Sequence, residues 1–213
     1  MFEHHTAEID DVRLHYVTVG NAPKVLCLLH GWPQTWWEWR RVIPTLAEHF
    51  TVVAPDLRGL GDSSCPPGGY DKRNVANDIW RLMYEVLGYE QFCLAGHDWG
   101  GPVAYALAHA HGNAVTRLAI LDVVIPFGSP DDLTWGGRRW HHGFHWVQDL
   151  PEALVAGRER VYLSWFYKNL AYNPSAIKPK DIDEYERAYS QPGVLRAGFE
   201  YYRATPKDIS HNN

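Results

Sequence analysis

The sequence is poor in sulfur. Its three cysteines are too few for a disulfide-framed scaffold. Cys27 and Cys93 sit in apolar runs and read as buried thiols, while Cys65 lies in the loop Ser63-Ser64-Cys65-Pro66-Pro67. No apolar run is long enough to span a bilayer. The start, Met1-Phe2-Glu3-His4-His5, lacks the basic and apolar regions of a secretory leader. These absences predict a cytoplasmic protein without a membrane partner. An excess of positive charge is also missing. Twenty Lys and Arg against 25 Asp and Glu leave a net charge of −5, which argues against nucleic-acid binding. There is no internal repeat and no low-complexity segment.

What is present fits a folded chain with a real core. The 213 residues are 46% hydrophobic and 21% charged, with ten tryptophans and twelve tyrosines. Residues 6–19 hold two short alternating strands around Asp10-Asp11. Apolar runs at Val25–Leu29, Thr51–Ala54, Phe92–Ala95 and Val115–Leu121 read as further strands. An aromatic-rich helix is expected after Pro33. Val75, Ile79, Leu82, Met83 and Val86 have helical spacing over 74–86. Such alternation predicts an α/β fold: a mostly parallel sheet with helices on both faces. After Pro126 no buried strand is evident. A helix is expected from Pro151 to about Leu170, another over 181–190 and a third after Pro192. The organisation expected is a core over 1–125, a helical cap over 126–205 and a returning stub over 206–213.

The most informative segment is Gly96-His97-Asp98-Trp99-Gly100, between an apolar strand and the small-residue run Gly101–Ala108. Small-x-nucleophile-x-small is the pattern of a nucleophile elbow, a sharp strand-to-helix turn that lifts one side chain above a sheet. The lifted residue here is Asp98. A carboxylate at that place points to an alkyl-enzyme ester and attack on an sp3 carbon. An ordinary N-cap for the following helix is the simpler alternative. His30-Gly31-Trp32-Pro33 follows the Val25–Leu29 strand. In an elbow hydrolase that loop and the residue after the nucleophile supply the backbone donors of an oxyanion hole, here Trp32 and Trp99. One properly aimed donor is worth about 3 kcal/mol in the transition state. Asp122 ends the Val115–Leu121 run, where ligand-facing groups of open α/β sheets gather. It reads either as an acid that orients a histidine or as a solvated strand-end aspartate.

These motifs resemble the α/β-hydrolase superfamily, in its epoxide hydrolase and haloalkane or haloacid dehalogenase branch. His30–Arg40 resembles the HGxP segment, Asp56–Ser63 the D-x-R-G-x-G-x-S loop, and the elbow the G-H-D-W-G-G form. The resemblance implies Asp98 as nucleophile and Asp122 as charge-relay acid. It implies Tyr202, in Phe199-Glu200-Tyr201-Tyr202-Arg203, as one donor to an epoxide oxygen. The other falls on His141, as in bacterial members that pair histidine with tyrosine. His30, Pro33, His142 and His145 are expected around the substrate. The spacing of His141, His142 and His145 also invites a metal, but no acidic partner is near, and neither metal nor organic cofactor is expected. Positions that carry carboxylate-binding arginines in fluoroacetate dehalogenases are Trp99 and Pro102 here. Trp32 stands where haloalkane dehalogenases often carry asparagine. Both departures favour an epoxide.

The family's general-base histidine would follow the cap and two more core strands. His211 is the only histidine after His145 and sits in a polar tail. The chain is therefore expected to be a C-terminally incomplete hydrolase with an exposed strand edge at 115–121. The expected partner is a small apolar epoxide or halogenated substrate. A homodimer is left open. A dehalogenase and a non-catalytic ligand-binding homologue are the alternatives.

Overall fold

The computed structural model describes residues 1–128 and 139–213. Residues 129–138, part of the expected cap, lie outside the described residues. Among the described residues, six strands form one sheet in the order β1-β2-β4-β3-β5-β6. β1 (Glu3–Ile9) and β2 (Val12–Val19) make a hairpin whose turn places Asp10 at φ +50°. β2 pairs antiparallel with β4 (Thr51–Pro55), whereas β4, β3 (Val25–Leu29), β5 (Phe92–His97) and β6 (Val115–Leu121) run parallel. All five residues of β3 are buried, as a central parallel strand requires.

The helices are α1 (Ile43–Leu46), α2 (Lys72–Arg81), α3 (Gly100–Ala110), α4 (Trp140–Trp146), α5 (Leu150–Val155), α6 (Glu159–Asn169), α7 (Pro179–Tyr189), α8 (Val194–Arg203) and α9 (Thr205–Asn212). The expected aromatic helix is instead a 3₁₀ segment over Trp36–Arg41 followed by the single turn of α1. Val42 ends the first piece and Pro44 opens the second. The helix expected over 74–86 continues past α2 as a wider π-type turn over Leu82–Val86. The expected helix from Pro151 to Leu170 is two helices. Gly157 breaks it at φ +76° and donates its N–H to Glu159 Oε1 at 2.9 Å. Such a φ is open to glycine and leaves the helical basin.

One core lies where α2, α3 and the helices beyond residue 140 meet the sheet, around Leu29, Val53, Leu94, Val103, Phe199 and Tyr202. A smaller one on the other face gathers Leu28, Trp36, Ile43 and Val52. Each such large side chain contributes about 1.5–3 kcal/mol by leaving water. Cys27 is buried, but Cys93 is only partly so. β6 is the edge, with Leu118 41% and Leu121 40% exposed. No helix among the described residues is long and apolar enough to cross a membrane.

The D-x-R-G-x-G-x-S loop is a structural clamp. Buried Asp56 accepts from Trp36 N–H at 2.9 Å, Asp62 N–H at 3.0 Å and His15 Nδ1 at 2.7 Å. Burial works against its charge, but these bonds and the nearby imidazoles hold the carboxyl below its ordinary value. Arg58 bridges Asp78 and Asp11. The two loops at the carboxyl ends of β3 and β4 are thereby locked together under the site.

Candidate active site

Strand β5 delivers Asp98 to the carboxyl end of the sheet. Gly96 is required there, since a Cβ on it would stand 2.1 Å from the Gly100 carbonyl oxygen. Asp98 itself sits at φ +46°, a region that costs a non-glycine residue about 1–3 kcal/mol. Its N–H donates to Leu121 O at 3.3 Å and its carbonyl accepts from Gly101 N–H at 2.8 Å. The turn is thus tied to both β6 and α3.

The carboxylate does not serve as an ordinary helix cap. No side chain caps α3. Asp98 Oδ1 instead accepts the Trp32 N–H from the loop after β3 at 2.9 Å. Gly31 makes that approach possible, because a Cβ there would lie 2.3 Å from Asp98 Cβ. Burial raises the Asp98 pKa above its ordinary value, opposed by the His97 charge and by the Trp99 and Trp32 amides. Of the two backbone donors expected from sequence, the Trp32 amide bonds this carboxylate at 2.9 Å and the Trp99 amide is near enough to favour its charge.

Asp98 opens into a cavity of about 440 Å³. Tyr202, from the last turn of α8, and His141 and His142, from α4, share its wall with Trp32, Pro33, Trp99 and Asp122. The Tyr202 ring stands edge-on to Trp99, with centroids 4.9 Å apart. Burial and the Asp98 charge push the Tyr202 hydroxyl well above its ordinary pKa, so it remains a proton donor. Burial, aided by the Arg139 charge, pushes His141 down to about 4. It is a neutral imidazole near pH 7. Tyr201 turns elsewhere and donates to Arg58 O at 2.8 Å.

Two expected pocket residues do not line this cavity. His30 is fully buried, accepts Leu57 N–H on Nε2 at 3.0 Å and places Nδ1 3.0 Å from Gly31 O. It braces two loops and has no face left for substrate. His145 packs behind Trp32, with ring centroids 4.6 Å apart, and its Nε2 stands 2.6 Å from the Tyr162 hydroxyl. Among the described residues, His141, His142 and His145 form no metal-ligand cluster; the trio with such spacing is His15, Asp56 and Asp62. The first two are bonded to each other and Asp62 is paired with Arg187. Asp122 sits at φ +52° on the cavity wall. His211 lies at the end of α9, 4.0 Å from Asp71.

The profile of the alpha/beta hydrolase fold matches residues 24–164. The chain belongs to that family. It is 44% identical to the soluble epoxide hydrolase of Corynebacterium sp. (strain C12), over 98% of this chain and 74% of that relative. It is 32% identical to the fluoroacetate dehalogenase of Burkholderia sp., over 95% of this chain and 69% of that relative. Among solved structures it is similar to Cfl2 from Burkholderia cenocepacia, with 44% identity and a TM-score of 0.91 over 99% of this chain and 74% of that one. The epoxide hydrolase CorEH has a TM-score of 0.90 and 42% identity, over the whole of this chain and 76% of that one. As an α/β hydrolase related to named epoxide hydrolases, the chain is an enzyme.

Sequence reasoning gave no part to His97 and Glu38. His97 lines the cavity beside Asp98, and its Nδ1 stands 3.3 Å from Glu38 Oε2. Burial works against the His97 cation, but the Glu38 bond and charge hold it up to about 9. Burial raises Glu38 in turn. A signal was available: one acid inside Trp36-Trp37-Glu38-Trp39 is bound to be buried, and a buried acid needs a partner.

Proposed function

We propose that this chain opens epoxides by forming an ester on Asp98. The observation that carries the reading is a half-buried carboxylate held by the Trp32 amide at 2.9 Å in a cavity that Tyr202 and His141 also line. One Asp98 oxygen attacks a ring carbon as the C–O bond breaks. Tyr202 and His141 hydrogen-bond the departing oxygen, and a proton from one of them completes the alcohol. Both are neutral donors at pH 7, as an alkoxide leaving group needs. In the second half, a histidine base takes a proton from water as its oxygen attacks the ester carbonyl carbon, and the Trp32 and Trp99 amides hold the oxyanion. Collapse breaks the ester C–O bond, and the histidine returns the proton to the leaving oxygen, so that the diol leaves and the Asp98 carboxylate is restored. Asp122 is the acid placed to orient a histidine base. The named epoxide hydrolases among the relatives support the substrate class.

The test is incubation with styrene oxide, followed by intact-mass measurement and peptide mapping. The expected product is a mass gain of one epoxide on Asp98, or diol release that depends on Asp98. Unmodified protein and no diol would defeat the reading. A dehalogenase is the second reading, favoured by the fluoroacetate dehalogenase relative and by a buried Trp99 indole N–H without a hydrogen-bond partner among the described residues. Halide release from fluoroacetate or a haloalkane, with no reaction on styrene oxide, would select it.

A further inference from the structure

A buried ion pair behind the cavity wall touches two of the groups that build it. Lys72, in the first turn of α2, is 3% exposed, and Asp208, on α9, is 2% exposed; their charged atoms stand 2.9 Å apart. The Lys72 backbone N–H donates to Asp208 Oδ1 at 2.7 Å. The ammonium also donates to the Tyr201 carbonyl and lies 4.0 Å from the centroid of the Trp99 ring. The ammonium thus hydrogen-bonds a carbonyl, pairs electrostatically with a carboxylate and faces an aromatic ring. Neither residue lines the cavity. Stability is a weak reason for such a pair, because apolar side chains of like volume commonly serve as well or better.

We propose that Lys72, held by Asp208, is a positioning residue for the Asp98 reaction: its ammonium fixes the Trp99 indole and, through the Tyr201 carbonyl, the turn of α8 that presents Tyr202. This rests on the epoxide-opening reading. Trp99 bears one of the two amides that face Asp98, and its ring meets Tyr202 edge-on. The indole is therefore the contact that joins the ammonium to the Tyr202 ring. The charge of Lys72 is also felt by Asp98. It adds to His97 and Arg139, against Glu38 and Asp122, with His141, His142, Tyr189 and Tyr202 as the remaining titratable neighbours.

The experiment is the pH dependence of Asp98 alkylation by styrene oxide, read by intact mass, in three proteins. These are the unchanged chain, the Lys72→Arg variant and the Lys72→Met/Asp208→Leu double variant, which removes the pair without stranding a charge. Circular dichroism checks their folding. The double variant should alkylate on the order of tenfold more slowly, the size of effect one lost charge-assisted contact gives, with its half-rise at higher pH. Lys72→Arg should keep the original midpoint while losing part of the rate, since a planar guanidinium cannot reproduce the ammonium's three directions. A folded double variant with unchanged rate and midpoint overturns the proposal. So does an equal loss of rate in both variants with no shift of midpoint, which would leave the pair as scaffold. If the double variant does not fold, a Lys72→Arg protein with the full original rate overturns it. No adduct on the unchanged chain defeats the epoxide reading instead.

Discussion

The two walls of the cavity are built by different means. The elbow wall is backbone: a strand end, a left-handed aspartate and amides from two loops, packed so closely that a Cβ on Gly31 or Gly96 would lie 2.3 or 2.1 Å from its neighbour. The wall facing it is side chain, from α4 and α8, and its contacts are edge-to-face rings such as Tyr202 on His142 at 5.0 Å. Backbone fixes where the Asp98 side chain starts, and the Trp32 amide restrains its carboxylate. Ring packing holds the donors through many weak contacts, each about 0.5–1.5 kcal/mol. The elbow should therefore fail all at once when altered, and the facing wall by degrees.

The largest expected effect is at the elbow. Asp98→Asn keeps the shape but removes the attacking anion, and adduct formation should fall by at least about 10⁴-fold, as for loss of a nucleophile that acts as part of a unit. Adduct on the Asp98→Asn variant would place the nucleophile elsewhere. The next effect belongs to the donor wall. Tyr202→Phe keeps the ring contacts and deletes one donor, so alkylation should slow by roughly 10²–10³-fold. His141 remains in place to give a residual rate. A change of less than about threefold, well under what a lost donor costs, would remove Tyr202 from the chemistry and undo the division of labour between the walls.

The same division explains what could be read from the sequence. β3, β5, β6 and the elbow were legible because short-range pattern determines them: each strand is an apolar run, and those of β3 and β5 end in Gly-containing turns. Asp98 and the Trp32 and Trp99 amides follow from that pattern alone. The facing wall depends on how distant helices pack, and there sequence reasoning erred. It put His145 at the substrate, whereas the Trp32 ring draws it into the core. It put His30 there too, although that imidazole is consumed by two backbone bonds. It joined α5 to α6 because a glycine in a helical pattern does not announce a φ of +76°. It passed over Glu38 and His97, whose meeting joins residues 59 apart.

That pair offers a finer probe of the elbow. Glu38→Gln removes the charge that keeps His97 up at about 9. His97 should then titrate nearer its reference value of about 6.5 and be neutral at pH 8. Asp98 loses the cation that favours its ionised form. The pH-rate profile of alkylation should rise at higher pH in Glu38→Gln than in the unchanged chain, and the difference should close above pH 9, where His97 loses its charge in the unchanged chain too. A profile that keeps its midpoint would separate His97 from the nucleophile.

The last expected effect is on stability, and it has opposite sign for the buried histidines and for Asp98. Burial holds the pKa of His141 at about 4, His142 at about 3 and His145 at about 2. These folded values lie below the unfolded value of about 6.5. Their contribution is intact above pH 6.5 and is lost as pH falls toward the folded values, at no more than about 1.4 kcal/mol per pH unit for each group. Asp98 is the reverse. Its pKa is raised by burial, so its contribution is complete in acid and fades as pH rises through the folded pKa. Thermal melts from pH 7 to pH 4 should therefore show the three buried histidines dominating, with Tm falling. His145→Phe removes one protonation site while preserving the ring that stacks on Phe199 at 4.3 Å, and should flatten that fall. Asp98→Asn should leave the acid limb steep and lift Tm near neutral pH. Melts of His145→Phe that track the unchanged chain from pH 7 to pH 4 would mean that acid loosens some other part of the molecule first.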